Sequence, residues 1–188
     1  MTGVQTCALP ISPKMTISDS QKINTAELLN KYGIDKAQKY LVIAPQAIAE
    51  SRRWGTDNYS ALARKVIDNY DLKIALVGTS DQYGAGQKIA LNEKRIINLC
   101  GKTDLEQAAS ILSGSLLFIG NDSGLAHLAS VVDIPLLILS GADNPKETSP
   151  ISDKKSVIIK TDLNCISCVK NICQIGRASC RERVFRAV

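Results

Sequence analysis

Short apolar runs alternate with amphipathic segments along most of this chain, and few folds accommodate that order. Apolar runs bounded by turn residues predict strands buried on both faces, and segments of 3.6-residue periodicity between them predict helices. The predicted strands are Tyr40–Ala44, Lys73–Val77, Arg95–Leu99, Leu116–Ile119, Pro135–Leu139 and Val157–Ile159. The alternation predicts an α/β fold: a Rossmann-like, mostly parallel sheet with helices on both faces.

Helix start signals lie between these runs. Thr56 or Asp57 is expected to cap one helix, and Thr103 is expected to cap another, with Glu106 three residues later completing a capping box. The predicted helices are Asn58–Tyr70, Gln82–Leu91, 103–112 and Leu125–Val132. Loops that follow the strands meet at one edge of such a sheet, where ligands bind.

The two ends of the chain differ in character from its middle. Residues 2–11 and 175–184 resemble translations of the two arms of a common sequencing adapter. We therefore interpret both ends as derived from a sequencing library. The predicted division is 1–12, adapter-derived and disordered; 13–39, a linker with a short helix over Ala26–Tyr32; 40–174, one Rossmann-like domain; and 175–188, an adapter-derived tail.

Composition argues against several classes of function. The net charge is +5, but the arginine-rich tail from residue 175 carries +3 of it, so no nucleic-acid partner is predicted. The sequence contains no run of eighteen apolar residues, so no membrane span is predicted. The first twelve residues lack the pattern of a signal peptide. Two of the six cysteines lie in the adapter-like ends, and the other four form no disulfide framework, which fits a reducing cytosol.

The stretch FIGNDSGLAHLAS joins a predicted strand to a predicted helix through four small or polar residues. Unpaired backbone N–H groups at a helix start attract anions, and small residues let a phosphate approach them. The candidate contacts are Asn121, Asp122, Ser123, Gly124 and His127. Asp122 could equally cap the helix, and His127 could be an ordinary core or surface histidine.

Two other loops carry charged side chains suited to the same ligand. Arg52 and Arg53 precede Trp54 after the first strand, and guanidinium groups bind phosphate bidentately. Asp81 follows the second strand and could accept a hydrogen bond from a sugar hydroxyl. The arginines could also form a solvated turn, and Asp81 could cap the next helix. Neither the dinucleotide fingerprint nor the P-loop motif is present.

Together these segments resemble the glycosyltransferase family that includes the ADP-heptose:lipopolysaccharide heptosyltransferases. The family's basic-x-Trp loop is matched by residues 52–54, its phrase "nLxGkTxLxe" by residues 98–106, and its phrase "ixNDSGxxHlA" by residues 119–129. A strand that begins at Pro135 and a polar loop then follow, as in the family. The resemblance covers residues 40–174.

This resemblance implies the C-terminal half of a GT-B fold, in which two Rossmann-like domains face each other across a cleft. The half represented here would bind the nucleotide sugar, an ADP-heptose-like donor, for inverting, metal-independent transfer without a cofactor. The lipid A-core acceptor of lipopolysaccharide and the general base would belong to an N-terminal domain, so this chain alone is expected to be inactive. The enzyme would be cytoplasmic, at the cytosolic face of the inner membrane of a Gram-negative bacterium.

The resemblance also implies a set of donor-binding residues. They are Arg52, Asp81, Asn121, Asp122, Ser123, Gly124 and His127. The backbone at Asp122–Gly124 would meet the diphosphate, and Arg52 would help to neutralise it as the nucleotide departs. Asp81 would lie near the nucleotide or its sugar.

Some features leave alternatives open. Gly55 stands where the family usually has proline, and the turn PQAIAES lacks the family's glycines, so the exact donor is open. Cys165, Cys168 and Cys173 could hold zinc, or could form a loop of free thiols. The alternative functions are another GT-B sugar-nucleotide enzyme, a transferase or an epimerase, and a non-catalytic nucleotide-binding module.

Overall fold

Strands and helices alternate through the part of the chain that the computed structural model describes, residues 13–159 with Lys170 and Ile172. The strands are β1 Tyr40–Ala44, β2 Lys73–Leu76, β3 Ile96–Asn98, β4 Phe118–Asn121, β5 Leu136–Ser140 and β6 Lys155–Ile159. The helices are α1 Asp19–Lys31, α2 Thr56–Asn69, α3 Tyr83–Ala90, α4 Leu105–Ser113, α5 Gly124–Val131 and α6 Pro145–Thr148. Short 3-10 turns, Glu50–Arg52 and Ser80–Gln82, precede α2 and α3.

The sheet is parallel throughout, in the order β3-β2-β1-β4-β5-β6. From β1 the chain proceeds outward to β3, returns to the centre at β4, and proceeds outward to β6 on the other side. The order therefore reverses between β1 and β4, and a crevice opens at their carboxyl ends. The predicted Rossmann-like α/β fold is confirmed.

The central strand β1 shows why helices cover both faces of the sheet. All five of its residues are buried, as expected for a strand inside a parallel sheet. Val42 and Ala44 join a core cluster that includes residues of α1, α4 and α5. Leu41 and Ile43 point the opposite way, into a cluster that includes residues of α2 and α3. The period of two along β1 thus divides the core into two layers.

The N-terminal helix is longer than predicted, because it covers Asp19–Lys31 rather than Ala26–Tyr32. Ser18 caps it in a capping box, in which its hydroxyl accepts from the Gln21 N–H and the Gln21 side chain accepts from the Ser18 N–H. Leu29 packs in the core layer beneath α4. The segment 13–39, interpreted as a linker with a short helix, thus contains a 13-residue helix that packs on the domain.

Helix α2 begins without the side-chain cap that the sequence predicted. Its N-cap is Gly55, and neither Thr56 nor Asp57 caps it. Gly55 has a φ of 106°, a conformation that glycine adopts readily and that proline cannot adopt. The backbone of this turn therefore accounts for the glycine where the family usually has proline.

Helix α4 has a capping box, but one residue later than predicted. The Asp104 side chain accepts from the Gln107 N–H at 2.8 Å, and the Gln107 side chain accepts from the Asp104 N–H. The predicted pair, Thr103 and Glu106, has the same spacing. Both registers satisfy the motif, and the structure selects the second.

Several sequence predictions concern residues that the structure does not describe. Both adapter-like ends and the three clustered cysteines, Cys165, Cys168 and Cys173, lie outside residues 13–159. Within the described part, no helix combines the length and apolar character needed to cross a bilayer.

We predict that Leu29→Ala lowers the free energy of unfolding by about 2–3 kcal/mol, because it leaves a cavity under α1. Ile23, on the same helix, is 60% exposed, so Ile23→Ala is the matched control and is expected to change stability by less than about 0.5 kcal/mol. Urea unfolding of both variants measures the difference. Equal stabilities would contradict the packing of α1 on the domain.

Candidate functional site

A cleft of about 450 Å³ opens at the carboxyl edge of the sheet, beside the reversal of strand order. Four segments line it, one after each of the strands β1 to β4: residues 46–48, 77–79, 103–105 and 123–125. The sequence predicted a ligand site at this edge, and the described residues form a concave surface there.

Two large apolar side chains stand exposed at this cleft. Ile48 is 98% exposed and Leu105 is 69% exposed, although both are aliphatic. Val77 and Leu125 continue the apolar lining, and the side chains of Thr79 and Gln82 add polar groups. A cleft of this character suits a ligand with one apolar part and one hydrogen-bonding part.

The start of α5 faces the same cleft and is open. Ser123 is the N-cap, yet its side chain makes no capping hydrogen bond. Its Oγ is shielded from water and has no hydrogen-bond partner among the described residues. A methyl group added at Gly124 would meet no atom within 4 Å. The helix start thus has open space at Gly124 and, next to it, a hydroxyl without a hydrogen-bond partner, an arrangement suited to a phosphate.

Asp122 adjoins this helix start but is 4% exposed, and its carboxylate is committed to other groups. Thr148 of α6 donates its hydroxyl to Oδ2 at 2.6 Å. His127 Nε2 lies 3.8 Å from Oδ1, and the His127 side chain is half exposed. Asp122 therefore links the start of α5 to α6, and it is not the N-cap of α5.

Asn121 is fully buried at the end of β4. Its Oδ1 accepts from the backbone N–H of Trp54 at 3.2 Å. This hydrogen bond attaches residues 52–54, the basic loop, to β4. Trp54 is itself buried and packs edge-to-face on Tyr59, with ring centroids 4.9 Å apart. The structure thus places Asn121 where it holds the basic loop beside the start of α5.

The two neighbouring arginines of the basic loop have different environments. Arg53 donates from Nε to the Ala47 carbonyl at 2.7 Å and from Nη2 to the Ile48 carbonyl at 3.2 Å. Arg53 therefore shapes the loop that lines the cleft. Arg52 instead contacts Asp143 through Nε, at 2.6 Å from Oδ2. Within the described residues its terminal nitrogens, Nη1 and Nη2, have no protein partner.

Asp143 belongs to the polar loop after β5 and is 1% exposed. Burial raises the pKa of its carboxyl above the ordinary range, the Arg52 guanidinium opposes that increase, and the charge of Asp122 adds to it. Asp122, Asp143 and Arg52 therefore form one electrostatic group beside the start of α5. The sequence did not indicate Asp143 as a site residue, because its loop contains no motif of defined spacing.

Two charged residues, the predicted site residue Asp81 and the motif residue Lys102, lie apart from the cleft lining. Asp81 is exposed in the 3-10 turn after β2, and the lining of the cleft includes Gln82 instead. Lys102 lies between two aromatic rings, with Nζ 4.5 Å from the ring centroid of Tyr32 and 5.5 Å from that of Tyr83. Cation–π contacts thus hold the motif lysine against α1 and α3. Among the described residues, no cluster of His, Cys, Asp or Glu could hold a metal ion.

Solved and curated relatives match most of this chain. Lipopolysaccharide heptosyltransferase 2 of Escherichia coli (strain K12) is 31% identical over 152 residues, which are 78% of this chain and 42% of that protein. The structure of E. coli ADP-heptose LPS heptosyltransferase II has a TM-score of 0.72 at 29% identity, covering 80% of this chain and 46% of that one. The E. coli heptosyltransferase WaaC, solved with ADP, has a TM-score of 0.61 at 20% identity over 70% of this chain and 41% of that one, and shows the fold alone.

The chain spans less than half the length of these relatives. The model of glycosyltransferase family 9 (heptosyltransferase) matches residues 6–178, nearly the whole chain. The motifs, the sheet order and these matches agree, and the chain therefore belongs to glycosyltransferase family 9, the heptosyltransferase family.

Proposed function

We propose that this chain is the donor-binding half of a heptosyltransferase of lipopolysaccharide biosynthesis and that its donor is ADP-heptose or a close analogue. The observation that carries the proposal is the open start of α5, where the Ser123 hydroxyl and Gly124 adjoin the cleft. A relative at 29% identity is described as an ADP-heptose heptosyltransferase, which supports the choice of donor.

In this proposal each part of the donor has a matching part of the cleft. The flat adenine ring lies between the exposed aliphatic side chains Ile48 and Leu105, which need an apolar partner. The ribose hydroxyls face Thr79 and Gln82, with Asp81 as a further acceptor nearby. The diphosphate meets the first turn of α5, where partial positive charge favours it.

The chemistry proposed for the parent enzyme is inverting sugar transfer. An acceptor hydroxyl of the lipid A-core attacks the anomeric carbon of heptose, and the bond from that carbon to the ADP oxygen breaks. Negative charge then grows on the departing diphosphate, so the helix dipole of α5 and the Arg52 guanidinium stabilise the transition state. These groups can stabilise the leaving group without a metal ion.

The remaining steps are assigned to the rest of the parent protein. The acceptor site and the base that removes the acceptor proton would lie in the sequence that the longer relatives have in addition. The acceptor is membrane-borne lipopolysaccharide core, so we propose that the parent works at the cytosolic face of the inner membrane. His127, half exposed one turn beyond the diphosphate site, is proposed to contact the donor.

We predict that Gly124→Ala weakens ADP binding by about tenfold or more, because the added methyl group occupies the space where the diphosphate approaches α5. Titration calorimetry of the 188-residue chain with ADP measures the change. Gly84→Ala is the matched control, since Gly84 also lies in a helix with open space around it and is not in the cleft. Equal affinities of the two variants would contradict a diphosphate site at Gly124.

We predict that Arg52→Ala and Arg53→Ala differ in their effect on ADP binding. Arg52→Ala is expected to weaken ADP binding by about tenfold, the effect of one charged hydrogen bond, and to lower the melting temperature, because the Asp143 carboxyl then stays buried without its cation. Arg53→Ala removes two hydrogen bonds that shape residues 47–48, so it is expected to lower the melting temperature with a smaller loss of affinity. Calorimetry of both folded variants separates the two roles, and a larger loss of affinity in Arg53→Ala would refute the assignment.

We predict that the purified chain binds ADP in preference to UDP and GDP and transfers no heptose from ADP-heptose to a lipid A-core acceptor. Calorimetry with the three nucleotides and a transfer assay measure both properties. Preference for UDP or GDP would retain the nucleotide site and change the donor. Measurable transfer would show that the described domain, with the remaining residues of the chain, already contains the base and the acceptor site.

A further inference from the structure

The contact between Arg52 and Asp143 joins two loops that are far apart in sequence. Asp143 Oδ2 lies 2.6 Å from Arg52 Nε, so the two side chains form a close ion pair. The Asp143 side chain is 2% exposed, whereas that of Arg52 is 35% exposed. The carboxylate is thus the fixed, buried partner, and the guanidinium is the partner that reaches the surface.

The loop that carries Asp143 is itself held in place. The Ser140 hydroxyl donates to the Asp143 carbonyl at 3.4 Å, and Asn144 caps α6 with a hydrogen bond from the Lys146 N–H. Thr148, at the end of α6, donates to Asp122. The loop is therefore anchored both at β5 and at the start of α5, so Asp143 is a rigid point of attachment.

Attachment through Nε has a geometric consequence for Arg52. A guanidinium has five N–H donors in one plane, and the closest approach to Asp143 is at Nε, the nitrogen nearest the side-chain stem. The four donors on Nη1 and Nη2 have no protein partner among the described residues. Arg53, one residue away, already uses Nε and Nη2 on backbone carbonyls. Of the two arginines, Arg52 is therefore the one held ready for an external anion.

We infer that Asp143 is a positioning residue: it orients Arg52 through Nε so that Nη1 and Nη2 can bind the donor's diphosphate without breaking the pair. This inference rests on the proposed donor-binding function and names a residue outside the matched motifs. It also opposes a simple electrostatic expectation. A carboxylate beside a diphosphate site repels the ligand, and its removal would then strengthen binding. The two accounts predict changes of opposite sign.

The test uses the 188-residue chain and ADP in titration calorimetry. We expect Asp143→Ala to weaken ADP binding about fivefold to tenfold, because Arg52 then loses its fixed orientation. Asp143→Asn keeps an oxygen that can accept from Arg52 Nε and is expected to restore most of the affinity. In the Arg52→Ala background, Asp143→Ala is expected to have a much smaller effect on ADP affinity, because the effect of Asp143 on the ligand runs through Arg52. Melting temperatures of all variants report folding.

Each other outcome contradicts a defined part of the inference. Unchanged or tighter binding by Asp143→Ala, with Arg52→Ala weakened, would overturn the positioning role and leave the proposed function standing. If Asp143→Ala lowers ADP affinity equally with and without Arg52, Asp143 has a general structural role and the inference is overturned. The same conclusion follows if a folded Asp143→Asn variant does not regain ADP affinity. Absence of ADP binding by the unmodified chain would overturn the proposed function, and the inference with it.

Discussion

The parallel pairing of β1 with β4 is the interaction on which the site depends. Its register places Ala44 opposite Gly120, so the loops that follow the two strands emerge side by side. A side chain at Gly120 would stand 3.0 Å from the Ala44 carbonyl oxygen and closer still to the Phe118 ring. Glycine thus permits the close approach, and backbone hydrogen bonds maintain it. Asn121, the next residue, then holds the basic loop by its Trp54 N–H.

Most of the fold could be predicted from the sequence, because strands buried on both faces of a parallel sheet consist of short apolar runs. The errors occurred at helix starts, where local signals compete. The box formed by Ser18 and Gln21 has the right spacing, but the polar residues around it suggested a linker. The caps Asp104 and Gly55 were missed because neighbouring residues fit the same motifs. Such choices depend on packing and backbone conformation, which no short pattern contains.

The candidate site was predictable only in part. The phrase around Ser123 indicated an anion site, and the structure opens that helix start to a cleft. Residue type alone could not distinguish Arg52 from Arg53; the family resemblance selected Arg52, and the structure gives the two arginines different partners. Ile48 gave no signal either, because an aliphatic residue in a loop is normally assumed to be buried. The roles of these groups depend on contacts between distant loops.

Helix α5 also has a mechanical property. It contains eight residues, so it is about 12 Å long, a short rigid rod between the cleft and the opposite edge of the sheet. At its far end the Val131 carbonyl accepts from the Met15 N–H at 2.7 Å, just before α1. The segment leading into the domain is therefore attached to the same rod whose other end faces the cleft. A shift of α5 along its axis would therefore move Met15 and Gly124 together.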